Sequence, residues 1–432
     1  MTDAQIPAAA TAPETLEPGQ SREQKPESSE PPRSVRILKD IVGGSAMISI
    51  LAVVLAMLVG GILIAATSPQ VQSAAGYFFA RPGDTFQAIW DSVSGAYSSL
   101  FQGSIYNFRR PGFENGIRPL TDTLNCATPL IAAGLGVAVA FRVGLFNIGG
   151  QGQILFGAAA AGYVGFAWHL PTGIHIVVAI LAGIVAGGIW AAIVGVLKAR
   201  TGAHEVIVTI MLNYVAFYLI SFLLRTPGAL QAPGSTNPKS APMLPTAIFP
   251  KLVGDSYNLN FGFILVIAAT VVVWYLINKS SLGFKFRAVG LNPHASRVAG
   301  IGVERIYVYA MVISGALIGL AGVAQVLGTV TSGFTSGIDA GIGFDAITVA
   351  LLGRSHPVGV FIAGLLFGAL KAGGYSMQAA NGITIDIVLV VQSLIVLFIA
   401  APPLVRAIFR LPAPGTAPRR KLPVITQEVT AK

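Results

Sequence analysis

The sequence predicts an all-α, polytopic membrane protein with about ten transmembrane helices. The first observation behind this fold class is composition. The 432 residues are 53% hydrophobic and only 11% charged, whereas about a quarter of the residues of an average soluble protein are charged. The second is that apolar runs follow one another along most of the chain, and about 20 apolar residues cross roughly 30 Å of hydrocarbon. The 50 glycines fit as well, because small residues let transmembrane helices approach closely.

The two ends of the chain differ in composition from the apolar middle. Residues 1–36 are rich in Pro, Ala, Glu, Gln and Ser, and they predict a disordered cytoplasmic tail. Residues 37–411 form the predicted transmembrane domain, and residues 412–432 form a predicted cytoplasmic C-terminal tail. Basic residues immediately before the first apolar run predict that the N-terminus is cytoplasmic.

Ten apolar runs define the predicted spans. An even number returns the C-terminus to the cytoplasm, and the inner side then carries roughly twice as many Lys and Arg residues as the outer side, as the positive-inside rule requires. The eighth run is short and the third contains a Gly-rich polar stretch, so both are expected to be broken or re-entrant helices. The runs are 41–66, 120–141, 145–168, 173–197, 205–225, 259–278, 305–327, 341–353, 358–375 and 384–404.

Three of the segments that connect these spans are long. In the outer segment 67–118, apolar residues at helical spacing predict an amphipathic helix on the outer surface or against the bundle. The outer segment 226–258 holds six prolines and predicts an irregular loop. The cytoplasmic segment 280–304 is basic, with Asn292 and Pro293 as an N-cap and N1 pair. Its length predicts a docking surface for a cytoplasmic partner.

The sequence lacks the motifs of the common enzyme classes. It contains no GxxxxGK[ST] phosphate loop, no HExxH and no GxSxG, and its five histidines are scattered. Cys126 is the only cysteine, which excludes a disulfide within the chain and a Cys-based zinc site. The net charge of +10 lies mostly at the ends of apolar runs without interleaved aromatic residues, so no nucleic acid partner is predicted. No cofactor is expected.

Few ionisable residues fall inside or near the predicted spans. Asp345 lies in the eighth span, whereas Lys371 and Asp386 are expected near outer ends, where they can reach water. These residues are too few for a proton relay, and the chain has no ATP-binding motif. The energy for any transport is therefore expected to come from another chain.

Four stretches carry a resemblance to a known family. They are TPLIAAGLGVAVAFRVGLFNIGGQGQILFGA (128–158), KARTGAHEVIVTIMLNYVA (198–216), RAVGLNPHASRVAGI (287–301) and GFDAITVALLGRSHPVGVFIAGLLFGAL (343–370). They resemble permease subunits of ABC importers in the simple-sugar and nucleoside group, a branched-chain amino acid-like permease family. The nucleoside branch fits best, although that branch often has Glu at the position of Gln151. This change removes a charge and keeps hydrogen-bonding capacity.

The resemblance implies half of the pathway of an ATP-driven nucleoside importer in the cell (inner or plasma) membrane of a bacterium. Its implied partners are a paralogous permease, a cytoplasmic ATPase with two nucleotide-binding domains and an extracytoplasmic substrate-binding lipoprotein. A simple sugar is the alternative solute. A secondary carrier or channel that works without an ATPase, and a purely structural subunit, are the alternatives from other classes.

Polar residues at membrane depth are the first candidates for the solute pathway. Asn147 and Gln151 lie four residues apart and would share a face on a helix, and the neighbouring glycines would let the backbone approach a ligand. Asn213 follows Thr209 by four residues and forms a second polar stripe. The alternative for all of them is interhelical hydrogen bonding that only holds the helices together.

The start of the eighth span supplies the other candidates. The ring of Phe344 could stack on a base or a sugar, and the carboxylate of Asp345 could accept hydrogen bonds from hydroxyl groups. The alternative is that Asp345 only stabilises a helix N-terminus through the macrodipole. In the cytoplasmic loop the resemblance assigns ATPase coupling to Arg287, Gly290, Asn292, Arg297 and Gly300.

Overall fold

The computed structural model of this protein describes residues 45–410, so the predicted tails 1–36 and 412–432 lie outside the described residues. The described part contains fifteen α-helices. Its β-structure is limited to one isolated antiparallel bridge between Lys251 and Asn260. The prediction of an all-α fold is thus confirmed for this part of the chain.

The helices follow one another with mostly short connections. A π-helical turn, Gln325–Thr329, continues the eleventh helix. In chain order the helices are α1 (Ser45–Thr67), α2 (Pro69–Ala75), α3 (Pro82–Ser104), α4 (Phe113–Arg142), α5 (Gly150–Ala167), α6 (Ile174–Thr201), α7 (Glu205–Leu223), α8 (Gly262–Lys279), α9 (Ser281–Leu291), α10 (Pro293–Val298), α11 (Val303–Ala324), α12 (Ile342–Leu352), α13 (Pro357–Asn381), α14 (Asp386–Ala400) and α15 (Pro402–Ile408).

Each predicted span corresponds to a helix, but the helices differ in their ability to cross a bilayer. Between residues 45 and 410, seven helices are long and apolar enough to span: α1, α4, α6, α7, α8, α11 with its π-turn, and α13. The other three are α5, which begins with two glutamines in four residues, the 11-residue α12 and the 15-residue α14. Seven spans are therefore supported by length and composition, and the count of ten stays a prediction.

Helices α4 and α11 form the centre of the bundle. In each of them 78% of the membrane-spanning window is buried, against 28% in α6. Close packing comes from two GxxxG pairs, Gly183 with Gly187 on α6 and Gly315 with Gly319 on α11. A methyl group added at Gly187 would lie 2.7 Å from the Cα of Gly319, so the two backbones are in contact. Larger residues at these positions would separate the helices.

The segment 226–258, which is predicted to lie on the outer side, is irregular, as predicted, and it packs tightly on the bundle. The amide of Met243 donates to the Thr331 carbonyl at 2.8 Å, and the amide of Phe249 donates to the Leu327 carbonyl at 2.9 Å. The Phe249 side chain is only 2% exposed. This segment therefore covers the non-helical stretch that follows α11.

The amphipathic helix predicted in the outer segment 67–118 is α3, and it packs against the bundle. A methyl group added at Gly103 would lie 3.3 Å from the Cα of Gly373 on α13. The hydroxyl of Tyr97 donates to the carbonyl of Met57 on α1. Trp90, about two turns before Tyr97 on α3, remains largely exposed. Of the two predicted positions for this helix, the structure supports packing on the bundle.

Candidate functional site

The two irregular spans meet at the first residues of their helices. The stretch 143–149 precedes α5 and the stretch 330–341 precedes α12, and neither stretch is helical. We call these stretches the first and second breaks. A methyl group added at Gly150 would lie 2.8 Å from the Gly343 carbonyl oxygen, so the starts of α5 and α12 are in backbone contact. Only glycine permits this approach. The third and eighth predicted spans therefore meet at the starts of their helices.

The lengths of the two helices place this contact within the bundle. Helix α5 has 18 residues and α12 has 11, which correspond to about 27 Å and 16 Å at 1.5 Å per residue. Each helix is thus shorter than the roughly 30 Å of hydrocarbon, so a crossing at either place would also need the residues of its break. Irregular backbone at this depth is tolerated where protein encloses it or where it lines a cavity.

Asn147 is completely buried inside the first break. Its Nδ2 donates to Ser314 Oγ at 2.9 Å and to Gln153 Oε1 at 3.1 Å. Its Oδ1 accepts from the Gly149 amide at 2.9 Å and from Gln153 Nε2 at 3.1 Å. These four bonds use the whole capacity of an amide. Asn147 therefore has no polar atom left for a solute in this conformation.

The prediction that Asn147 and Gln151 share a helix face is wrong, because α5 begins only at Gly150. The side chain of Asn147 bonds to the amide two residues later, which competes with helix formation. Gln151 lies in the first turn of α5, half-buried, and its side chain has no hydrogen-bond partner among residues 45–410. Of this pair, only Gln151 has free hydrogen-bonding groups.

Asn213 on α7 fastens the start of α5. Its Oδ1 accepts from the Gly152 amide and its Nδ2 donates to the Ile148 carbonyl, both at 2.9 Å. The Gly152 amide is one of the four N–H groups that a helix N-terminus leaves without a partner. Thr209, one turn earlier, is buried and bonds to its own helix backbone. These contacts are interhelical hydrogen bonds, which the sequence analysis gave as the alternative to a role in the solute pathway.

Asp339 organises the second break, and sequence reasoning missed it. Its carboxylate accepts from the Gly343 amide at 3.0 Å and from the Gly341 amide at 3.1 Å, and its side chain is buried. A carboxylate in this position accepts hydrogen bonds from N–H groups that lack a partner within the helix. The positive end of the helix dipole also stabilises its negative charge. The signal was the spacing Asp-Ala-Gly-Ile-Gly, in which glycines follow an aspartate by two and four residues.

Asp345 and Lys371 form the ionic centre of the second break. The Lys371 Nζ lies 3.8 Å from Asp345 Oδ2 and donates to the Ala340 carbonyl at 3.1 Å. Lys371 was expected near an outer helix end, but α13 continues ten residues beyond it to Asn381. The lysine therefore lies within the helix, where pairing with a carboxylate and a carbonyl offsets the cost of its charge.

Both members of this pair keep part of their surface exposed. The exposed side-chain fractions are 23% for Asp345 and 16% for Lys371, and the adjacent Phe344 ring is 54% exposed. Lipid would make such exposure of charge costly, so the exposed edge is expected to face water or a polar partner. The arrangement provides an anionic acceptor, a cationic donor and an aromatic face side by side.

Helices α9 and α10 lie in the loop 280–304, which the sequence predicts to be cytoplasmic. Asn292 accepts from the Ala295 amide at 3.0 Å with Pro293 at the first helical position, which confirms the predicted N-cap. Arg287 donates to the Ile277 carbonyl, and Arg297 pairs with Glu304 at 2.7 Å. The two arginines are thus engaged within the chain.

The glycines of this loop have different roles. A methyl group added at Gly290 would lie 3.1 Å from the Arg142 carbonyl carbon, so Gly290 lets α9 rest on the end of α4. Gly300 has φ 79° and open space around it, so its requirement is conformational. Sequence reasoning missed the most exposed apolar side chains of the loop, Leu291 at 88% and Val298 at 91%.

Metal chemistry finds no support in the described part of the chain. Among residues 45–410, no group of three or more His, Cys, Asp or Glu side chains could hold a metal ion. The polar contacts of both breaks involve amides, a lysine and carboxylates that bond to backbone or to one another.

Comparisons with known proteins agree with the fold. Residues 120–400 match the family model described as branched-chain amino acid transport system / permease component. The guanosine ABC transporter permease protein NupP of Bacillus subtilis is 40% identical over 72% of this chain and 86% of its own length. The glucose ABC transporter permease protein TsgB13 of Haloferax volcanii is 37% identical over 65% and 75%. The nucleoside ABC transporter permease protein NupB of Lactococcus lactis is 36% identical over 66% and 79%. No solved structure matches the chain.

Proposed function

Since the chain belongs to the branched-chain amino acid transport system / permease component family and is a multi-pass membrane permease subunit rather than an enzyme, we propose that it forms half of the pathway of an ATP-driven nucleoside importer. The sequence contains no phosphate loop, so ATP hydrolysis belongs to a separate chain. The observation that carries the proposal is the part-exposed ion pair between Asp345 and Lys371, at the point where the two breaks meet.

The chemistry of this pair suits a neutral solute with many hydrogen-bonding groups. The Asp345 carboxylate can accept from hydroxyl or ring N–H groups, the Lys371 ammonium can donate to carbonyl oxygens, and Phe344 offers a face for stacking. The half-buried Gln151 amide lies at the neighbouring helix start and adds an NH2 group that can donate and a carbonyl oxygen that can accept. The nucleoside and guanosine permeases among the relatives support a nucleoside.

A simple sugar is the second candidate solute. The permease from Haloferax volcanii that is 37% identical is a glucose permease, and an acidic side chain beside an aromatic ring also suits sugar hydroxyls. A nucleobase differs from a sugar in presenting a planar ring with carbonyl or ring-nitrogen acceptors. Phe344 and Lys371 are therefore the residues whose replacement should separate the two solutes.

Contacts between distant segments support ten spans with both termini in the cytoplasm. The end of α4 touches both the turn after α12, through Arg142 and Ser355, and the loop 280–304, through Gly290. All three segments are cytoplasmic in the proposed topology. On the opposite side, Tyr257 donates to the Glu114 carbonyl at 3.1 Å and so joins the two long outer segments. Residues 37–411 then form one transmembrane domain between two cytoplasmic tails.

The loop 280–304 is the proposed docking surface for the ATPase. Leu291 and Val298 expose apolar side chains on α9 and α10, outside the membrane-spanning helices, and apolar anchors of this kind carry much of the energy of protein interfaces. The Arg297–Glu304 ion pair fixes the end of α10 beside α11. In this proposal, Arg287, Gly290 and Gly300 shape the loop, and Leu291 and Val298 contact the partner.

The remaining partners follow from the incomplete site. The exposed edge of the Asp345–Lys371 pair needs a polar cover, and a second, paralogous permease would supply it and close the pathway. An extracytoplasmic substrate-binding lipoprotein would deliver the nucleoside to the outer segments 67–118 and 226–258. The proposed location is the cell (inner or plasma) membrane of a bacterium.

The proposal is tested by uptake into proteoliposomes that contain the chain with its partner permease, ATPase and binding protein. Guanosine, other nucleosides and glucose are supplied in turn. Asp345→Asn should lower nucleoside uptake about tenfold or more, because a charge-assisted hydrogen bond is lost. The matched control is Asp386→Asn, which changes an exposed acid at the start of α14 and should stay within about twofold.

The same preparation separates the competing functions. Nucleoside uptake that stops when the ATPase is inactivated supports the importer, whereas uptake that persists without ATP shows a secondary carrier or channel. Glucose uptake without nucleoside uptake shows a sugar permease. Absence of flux for every solute, in an assembled complex with active ATPase, contradicts a transport role.

A further inference from the structure

Arg142, the last residue of α4, lies between the docking loop and the turn that follows α12. Its Nε donates to the Ser355 carbonyl at 3.0 Å, although 213 positions separate the two residues in the chain. Its own carbonyl carbon would lie 3.1 Å from a β-carbon added at Gly290 of α9. One residue therefore contacts the docking loop through its backbone and the end of α12 through its guanidinium group.

The turn that Arg142 contacts has an unusual backbone. The Ser355 amide donates to the Ala350 carbonyl at 2.8 Å, and the Arg354 amide donates to the Leu351 carbonyl at 3.0 Å. This is the Schellman pattern, whose left-handed position is usually glycine. Here Arg354 and Ser355 have φ values of 53° and 52°. Such strained backbone persists where surrounding contacts fix it, and the bond from Arg142 is one of these contacts.

Helix α12 connects this turn to the proposed solute site. It is about 16 Å long, and its first turn carries Gly343 and Asp345. Gly343 lies in backbone contact with Gly150 at the start of α5. A helix of three turns moves as a rigid unit, so a displacement at Ser355 also displaces Asp345 and the contact between the breaks.

We propose that Arg142 is a positioning residue that transmits displacement of the docking loop to α12 and so couples ATP hydrolysis to movement of the solute site. Arg142 need not touch the ATPase or the solute. The inference rests on the proposed function, because it takes 280–304 as the docking loop and the Asp345–Lys371 pair as part of the solute site. Lysine cannot replace Arg142, since it lacks the planar guanidinium with a donor at Nε.

The test measures the number of nucleoside molecules imported per ATP hydrolysed by the complete reconstituted transporter. Arg142→Met and Arg142→Lys should lower this ratio about tenfold, a typical size for a coupling between sites. ATP hydrolysis without solute and the affinity for the ATPase should remain near those of the unmodified protein. Arg200→Met replaces an exposed arginine at the end of α6 and should leave the ratio unchanged. A merely structural role would lower uptake and hydrolysis together and leave the ratio constant.

A second variant approaches the same contact from the other side. Gly290→Ala adds a methyl group against the Arg142 carbonyl, should displace α9 and should also lower the ratio. If either set of variants assembles with an unchanged ratio, or if Arg200→Met lowers the ratio equally, the inference is overturned. Failure of the proposed function is seen separately, in the unmodified transporter, as nucleoside uptake that persists without ATP.

Discussion

Replacement of Asn147 by alanine tests whether this residue holds the first break or binds solute. Asn147 is fully buried, and its amide makes four hydrogen bonds, to Gln153 twice, to Ser314 and to the Gly149 amide. Asn147→Ala would leave a backbone N–H, a hydroxyl and an amide buried without these partners. The expected consequence is loss of stability and not loss of affinity for the solute.

The size of the effect follows from two scales. A buried polar group without a partner costs about 1–3 kcal/mol in soluble proteins, whereas interhelical hydrogen bonds in membranes average about 0.6 kcal/mol. Gln153 and Ser314 both accept from the Asn147 nitrogen, so pairing of these two groups in the variant would keep the cost below that of three unpaired groups. The free energy of unfolding should therefore fall by about 2–4 kcal/mol, which lowers the thermal midpoint by several degrees.

The assay combines thermal unfolding of the purified protein in detergent with nucleoside uptake at saturating and limiting solute. Asn381→Ala serves as the control, because Asn381 is exposed at the end of α13 and its loss should leave the midpoint unchanged. The midpoint should fall for Asn147→Ala while the KM of the surviving protein stays constant. An unchanged midpoint together with a raised KM would refute the structural role and return Asn147 to the solute site.

Four further predictions follow from the same contacts. Gly343→Ala should lower the free energy of unfolding by about 1–3 kcal/mol, because the methyl group meets backbone at the start of α5. Gly337→Ala should leave the free energy of unfolding unchanged, because its methyl group would meet only Thr335 Oγ1, at an ordinary contact distance of 3.7 Å. Asp339→Ala should lower the free energy of unfolding by about 1–3 kcal/mol, because it leaves two backbone amides unpaired. Asp339→Asn should lower it by about half as much, as measured by thermal unfolding. Leu291→Asp should weaken binding of the ATPase about tenfold without changing the thermal midpoint; equal binding in a titration would exclude this residue from the interface. Gly300→Ala should lower the free energy of unfolding by about 1 kcal/mol, because alanine is strained at the positive φ of this position. Binding of the ATPase should stay unchanged.

The all-helical architecture was accessible from the sequence because the length of each apolar run depends on local composition. The ten apolar runs correspond to helices, the Gly-rich polar stretch of the third run adjoins the first break, and the short eighth run corresponds to the 11-residue α12. The N-cap at Asn292 was equally local, since its signal was one dipeptide. A structural property that depends only on a few neighbouring residues and on the solvent can be predicted from the sequence.

The details of the site depended on long-range contacts that the sequence does not display. Asn147 was assigned to a helix face because its apolar neighbours continue a long run, but its own side chain caps the break before the helix begins. Asp339 lies between two predicted spans and was not singled out, because its burial depends on the packing around the second break. Lys371 pairs with a carboxylate 26 positions earlier, and the contact between Gly150 and Gly343 joins two halves of the chain.

The accessibility of position 344 tests the central claim that solute passes the meeting point of the two breaks. Cys126 is the only cysteine, so Cys126→Ala gives a background in which single cysteines can be labelled in the reconstituted transporter. Phe344 is 54% exposed at the second break, and Ile362, on the apolar surface of α13, is 61% exposed. A hydrophilic, membrane-impermeant thiol reagent should label Phe344→Cys and not Ile362→Cys, and nucleoside should slow the labelling. Equal behaviour of the two positions, or labelling of Phe344→Cys that nucleoside does not slow, would contradict the account.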